Sequence, residues 1–134
     1  MLPAIEVIDS RIEDWKIKFE DTVADNGSSA GAVIGGNPTK LDNIDLSHIG
    51  MVVYRNGEFL DSAAGAAVLG NPLRAVAWLA NALGKYDVSL KAGEIVLSGA
   101  LSTAVPIEEN DTFTVEFAHI GSVSATFKSK GDRK

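Results

Sequence analysis

The tetrapeptide Arg55-Asn56-Gly57-Glu58 constrains the fold more than any other stretch of this 134-residue chain. Asn-Gly accepts positive φ at both central positions, which is what a two-residue hairpin turn requires. Its flanks agree: residues 48–54 alternate as a strand does, and residues 59–62 read as the return strand. Other short segments follow the same style. Residues 4–8 read as a buried strand, and residues 95–97 (Ile-Val-Leu) as an apolar strand entered through the turn Ala92-Gly93-Glu94. Residues 112–117 and 122–127 alternate on either side of Gly121. One helix stands out over about 72–84: Asn71 can cap it, Pro72 suits its first turn and Gly84 can close it. Leu73, Val76, Ala77, Ala80 and Leu83 then share one face.

The remaining segments carry weaker signals. Ser10-Arg11-Ile12-Glu13 has capping-box spacing and predicts a short helical turn starting at Ser10. The small residues of 21–34 predict a compact turn or short helix, which Gly35-Gly36-Asn37-Pro38 ends. Residues 41–46 read as a polar linker, and residues 63–70 as a second small-residue stretch that tolerates close packing. Many short strands, one clear helix and glycine turns define an α+β, mostly-β domain. The reading is a single domain over residues 1–128 with a basic, frayed polar tail at 129–134.

Bulk properties narrow the function. A net charge of −6 argues against a nucleic-acid surface or an anionic membrane as partner. The chain has no cysteine, so disulfides and thiolate metal sites are excluded, and the expected setting is reducing and cytoplasmic. No apolar run reaches the roughly 18 residues of a membrane span.

The chemistry concentrates in the first thirty residues. Glu6 is a carboxylate inside the apolar segment Pro3-Ala4-Ile5-Glu6-Val7-Ile8. Burying it unpaired would cost several kcal/mol, so it must be exposed, paired with Arg11 or Lys18, or bound to a cation. Strand alternation puts it on the face of Ala4 and Ile8, opposite Ile5 and Val7. Asp9, Asp14, Asp21 and Asp25 are possible helpers, Asp14 and Asp21 also being suited to capping. Lys16 and Lys18 would share one face of an extended segment, with Trp15, Ile17 and Phe19 on the other. That face is either a solvated basic edge or places Lys18 as a point charge beside a substrate carboxylate or enolate. Asp25-Asn26-Gly27-Ser28-Ser29 fits a helix cap or an anion-binding turn. The hydroxyl- and glycine-rich loop of 98–103 follows an apolar strand, a common place for ligand contacts. His48 and His119 fall in strand-like contexts far apart, with no nucleophile elbow, so no catalytic triad is implied. Phosphate-loop, dinucleotide and zinc spacings do not occur.

Together these stretches resemble the 2-keto-4-pentenoate hydratase and 4-oxalocrotonate decarboxylase group of the fumarylacetoacetate hydrolase superfamily. The resemblance is carried by residues 3–17 and 21–29, by Gly65-Ala66-Ala67-Val68-Leu69-Gly70-Asn71-Pro72-Leu73, by Ala92-Gly93-Glu94-Ile95-Val96-Leu97-Ser98-Gly99-Ala100-Leu101 and by Gly121-Ser122-Val123-Ser124. It implies a mixed-sheet roll or sandwich of that superfamily's C-terminal-domain type. It also implies a hydro-lyase that adds water to 2-hydroxypenta-2,4-dienoate (2-oxopent-4-enoate), giving 4-hydroxy-2-oxopentanoate in meta-cleavage aromatic degradation. The implied cofactor is Mg²⁺ or Mn²⁺, and Glu6 matches one of the family's three metal-binding carboxylates. By the same resemblance Lys18 is the catalytic lysine, and Asn26, Ser28 and Ser98 line the substrate pocket. Ala100 stands where many members have threonine, so no hydroxyl contact is expected there. The match covers only the C-terminal half of a member, without the Glu-x-Glu pair that supplies the other two carboxylates. The expected partners are a small 2-oxo or 2-hydroxy-dienoic acid and either further copies of the chain or the missing half. Asp14-Trp15-Lys16-Ile17 and Ser98-Gly99-Ala100-Leu101 favour the hydratase over the decarboxylase. A non-catalytic scaffold fragment is the alternative from another class.

Overall fold

The computed structural model describes residues 1–129. The expected tail begins at the edge of this range, and residues 130–134 lie outside it. The expected mostly-β α+β fold with one main helix is observed, built on two sheets. A four-stranded sheet has the order β4-β3-β5-β6, with β3 at Gly50–Arg55, β4 at Glu58–Ala64, β5 at Thr112–Phe117 and β6 at Gly121–Thr126. A two-stranded sheet pairs β1 (Ala4–Ile8) with β2 (Ser29–Ile34). Every ladder among the described residues is antiparallel, so the mixed pairing implied by resemblance is absent from them.

The hairpin turn behaves as its sequence demands: Asn56 has φ 54° and Gly57 φ 85°, and β3 and β4 pair on either side. The inward face of the large sheet follows the period of two. Met51 and Val53 of β3, Phe113 and Val115 of β5 and Val123 of β6 form the buried core. The outward face of β5 and β6 is polar, with hydroxyl pairs Thr112–Thr126 at 2.9 Å and Thr114–Ser124 at 3.0 Å. Ile5 of β1 and Val33 of β2 are ladder partners and pack on that core, which seats the small sheet against the large one.

An ionic group centred on the buried Asp111 ties the hairpin to the turn before β5. The Arg55 guanidinium lies 2.7 Å from the Asp111 carboxylate and 3.4 Å from that of Glu108. Asn56 donates to Asp111 at 2.8 Å and accepts from the Thr112 amide at 2.8 Å. The Arg55 hydrogen bond, then the Glu108 amide, outweigh burial and hold the Asp111 carboxyl at about 2.

The helix α2 spans Pro72–Gly84, capped by Asn71, whose side chain accepts from the Leu73 amide at 2.9 Å. Its packing departs from expectation. Val76 and Leu83 are half-buried, whereas Leu73, Ala77 and Ala80 of the same predicted face are exposed, as is Trp78. Before α2 the chain makes a 3₁₀ turn at Gly65–Ala67. A Cβ on Gly65 would overlap the Leu46 carbonyl oxygen, so only glycine lets these backbones meet.

Other expectations are corrected. Residues 29–34 form β2 instead of a turn, because β1 supplies a ladder for a segment of small residues. Residues 95–97 form no strand: no partner backbone pairs with them, and Ile95 is 70% exposed. The supposed polar linker contributes Leu46, a buried member of a second core cluster with Ile49 and Ile120, and Leu41 and Ile44 pack on it. Ser10 does not start a helix. Its hydroxyl accepts from the Ile12 amide at 3.1 Å in a local turn, and the 3₁₀ turn comes at Glu13–Trp15. The strand over residues 4–8 is half-buried, with Glu6 exposed.

Candidate functional site

The site grows from the small sheet. Glu6 sits opposite Ala32 in the β1–β2 ladder, next to Ile5, which packs on the core. Alternation turns its side chain to the face opposite Ile5, and the cavity beside the strand touches consecutive residues 4–9, so it reaches both faces of β1. Among the described residues Glu6 makes no ion pair with Arg11, Lys18 or any other cation. Arg11 pairs with Asp25, and Lys18 is exposed at the start of α1 (Phe19–Ala24), where its amide donates to the Asp21 carboxylate at 3.0 Å.

A cavity of about 1210 Å³ opens between β1, the core side of the large sheet and the irregular segment after α2. A small-molecule pocket typically occupies roughly 300–1,000 Å³, so this space exceeds what one such ligand needs. Glu6, Asp9 and Trp15 border it from one side, and Ser98, Gly99 and Ala100 from another. Phe113, Val115 and Phe117 form an apolar floor. The structure thus brings Glu6 and Ser98 to one cavity although they lie 92 positions apart in the sequence.

Lys18, Asn26 and Ser28 are not among the residues that line this cavity. Lys16 pairs with Asp14 at 2.7 Å, and Trp15 has φ 54°, so residues 15–19 do not form the extended, two-faced segment that the lysine spacing suggested. Asn26 and Ser28 lie in a 3₁₀ turn, Asn26–Ser28, leading into β2. Ser28 is buried, and its hydroxyl donates to the Asp25 carboxylate at 2.8 Å. Asp21 serves as the expected cap, whereas Asp14 is taken by Lys16.

The polar arrangement that sequence reasoning missed is the Arg11–Asp25 pair. Asp25 is only 8% exposed. Burial pushes its carboxyl up, but hydrogen bonds from Ser28 and from the Arg11 side chain and amide, with the arginine charge, bring it below the ordinary value. The Ser-Arg of residues 10–11, just past a strand end, was the available signal. The two histidines also surprise. Neither is in a strand, and both border a second cavity of about 260 Å³ with Asn43 and Asp45. There His48 Nδ1 lies 2.7 Å from Asp45, whose carboxyl is held at about 2, first by the Ser47 hydroxyl and then by His48.

Comparison with known proteins gives this geometry a class. Residues 2–128 match the family model described as fumarylacetoacetate (FAA) hydrolase C-terminal. The chain belongs to the fumarylacetoacetate hydrolase family. Within it, the chain is 46% identical over 129 residues to a 2-keto-4-pentenoate hydratase of Paraburkholderia xenovorans, covering 96% of this chain and 48% of that protein. It is 41% identical over 133 residues to a 2-oxo-hept-4-ene-1,7-dioate hydratase of Escherichia coli, covering 95% and 50%. Its fold matches a 4-oxalocrotonate decarboxylase of Pseudomonas putida solved with magnesium and adipate, at a TM-score of 0.89 and 44% identity, over 94% of this chain and 48% of that one. The chain therefore spans about half the length of the relatives it matches.

Among the described residues no three His, Cys, Asp or Glu side chains are grouped to hold a metal ion. Glu6 offers one oxygen-donor side chain of the hard kind that Mg²⁺ and Mn²⁺ prefer. These residues alone do not make a complete centre.

Proposed function

We propose that this polypeptide is the C-terminal half of a hydratase acting on 2-hydroxypenta-2,4-dienoate in the cytoplasm, yielding 4-hydroxy-2-oxopentanoate. The reading is carried by one observation: an unpaired carboxylate, Glu6, in the middle of an apolar strand and bordering the same cavity as Ser98. Support comes from the hydratases that match nearly the whole chain.

In this reading Glu6 is one ligand of a shared Mg²⁺ or Mn²⁺, and the remaining ligands come from the half of the fold that these residues do not span. Lys18, which lies outside the cavity lining, is assigned to the substrate carboxylate as a point charge by the family resemblance. Ser98 donates a hydrogen bond from the loop that borders the same cavity as Glu6, whereas Asn26 and Ser28, which do not line that cavity, are assigned to the substrate by the family resemblance alone. The apolar floor excludes water from the diene and strengthens the polar contacts at its edge. The working partner is the missing half, as part of an oligomer.

The test combines the chain with a polypeptide equivalent to the first half of the Paraburkholderia hydratase, with Mn²⁺ and the dienoate supplied. Loss of dienoate absorbance without CO₂ release, abolished by Glu6→Gln, is the expected result. A second reading, 4-oxalocrotonate decarboxylase, is favoured by the fold match at TM-score 0.89. CO₂ release from 4-oxalocrotonate with no hydration of the dienoate would select it. No turnover of either substrate by an assembled pair would end both readings.

A further inference from the structure

Residues 9–29 form an excursion that leaves the end of β1 and returns at the start of β2, closed at its neck by a dense set of bonds. The Asp9 amide donates to the Ser28 carbonyl at 2.8 Å. Arg11 Nε sits on the Asp25 carboxylate. The same guanidinium donates to the Asp25 carbonyl at 2.6 Å, the Asp9 carbonyl at 2.9 Å and the Ser29 carbonyl at 3.4 Å. The Arg11 amide and the Ser28 hydroxyl both reach the Asp25 carboxylate, at 3.3 and 2.8 Å.

Beyond the neck the excursion has almost no interior. Neither the Glu13–Trp15 turn nor α1 contains a buried residue, and Phe19 and Val23 are 80% and 67% exposed. A segment without buried apolar contacts is not held in place by packing. Its placement rests on the neck. The backbone there is left-handed at Asn26, Gly27 and Ser28, with φ of 50°, 66° and 56°, and of the three Ser28 is the residue for which that conformation is costly. Such conformations persist where surrounding bonds over-determine them.

We propose that Arg11 and Asp25 are positioning residues whose pair fixes the excursion beside the cavity, keeping Trp15 on its wall and carrying Lys18 on the same rigid body. The role assigned to Lys18 rests on the hydratase reading, whereas the placement of the excursion does not.

Hydrogen exchange on the full chain tests the proposal, together with Trp15 fluorescence in a Trp78→Phe background. In Arg11→Ala and Asp25→Asn, amides of residues 12–24 are expected to exchange about tenfold faster or more. Trp15 emission should shift to the red, while β3, β5 and β6 keep wild-type exchange rates. Arg11→Lys keeps the charge but loses the planar fork, and should give an intermediate shift. It also serves as the deciding variant if Asp25→Asn fails to fold. Unchanged exchange in 12–24 with unchanged Trp15 emission would overturn the proposal. So would uniform acceleration along the whole chain, which marks a bond contributing only global stability. Failure of the hydratase reading shows instead in the turnover assay and leaves these exchange rates unaffected.

Discussion

The two sheets of this chain solve opposite problems. The four-stranded sheet buries Met51, Val53, Phe113, Val115 and Val123 on one face and closes its hairpin end with the Arg55–Asp111–Asn56 group. The two-stranded sheet has no core of its own and leans on the larger one through Ile5 and Val33. Yet the small sheet carries Glu6 and the excursion with Lys18, Asn26 and Ser28. Stability and candidate chemistry are therefore segregated: one region is dense with apolar contacts, and the other is positioned by a few polar bonds. Loosely packed elements at the low end of local stability are also where binding segments are generally found.

The comparison can be broken most forcefully from the large sheet. Phe113→Ala removes a ring that packs edge-on against Phe127, with centroids 6.0 Å apart, and should cost about 3–5 kcal/mol in chemical denaturation. If the small sheet depends on the large one, exchange protection in β1 and β2 falls with it. Survival of β1–β2 protection would show two independent units. Next in size, Asn71→Ala removes the α2 cap and should cost about 1 kcal/mol by thermal melting. That loss should leave both sheets' exchange patterns alone.

Acid titration separates the regions by their carboxylates. Asp111 has a folded pKa of about 2 against an ordinary 3.8, so its contribution is present above about pH 4 and is lost as pH falls from there toward 2. Asp25 is also lowered, so its contribution is likewise lost in acid, but in the neck of the excursion. Circular dichroism and Trp15 emission followed from pH 6 downward should both change below about pH 4, and Asp111→Asn should flatten only the former. The smallest expected effect is the sharpest. Glu6→Gln should change stability by no more than about 0.5 kcal/mol, since the carboxylate is exposed and unpaired among the described residues, while abolishing turnover of the assembled enzyme. A large stability loss there would assign Glu6 to structure instead.

Legibility in the sequence followed locality. The Asn56-Gly57 turn, the Asn71-Pro72 helix start and the alternation in β5 and β6 are decided by neighbouring residues, and each was readable. Residues 29–34 were not, because alanine, glycine and serine carry little strand preference and the ladder with β1 decides their state. Residues 95–97 show the converse: Ile-Val-Leu favours a strand, but a strand exists only where another backbone accepts its hydrogen bonds. Glu6 was legible as a local misfit, and the family match adds weight to the surrounding residues without testing its role. The Arg11–Asp25 bond was only half legible: Ser10-Arg11 past a strand end marked one partner, but nothing local ties it to a residue fourteen positions further on.

The uncovered flank of α2 has a practical corollary. Trp78 in α2 is 67% exposed and Leu69, just before the helix, is 64% exposed, apolar surface of the kind through which chains associate. If that surface mediates association, light scattering and melting midpoints will vary with dilution. Dilution series belong in every measurement made on this polypeptide.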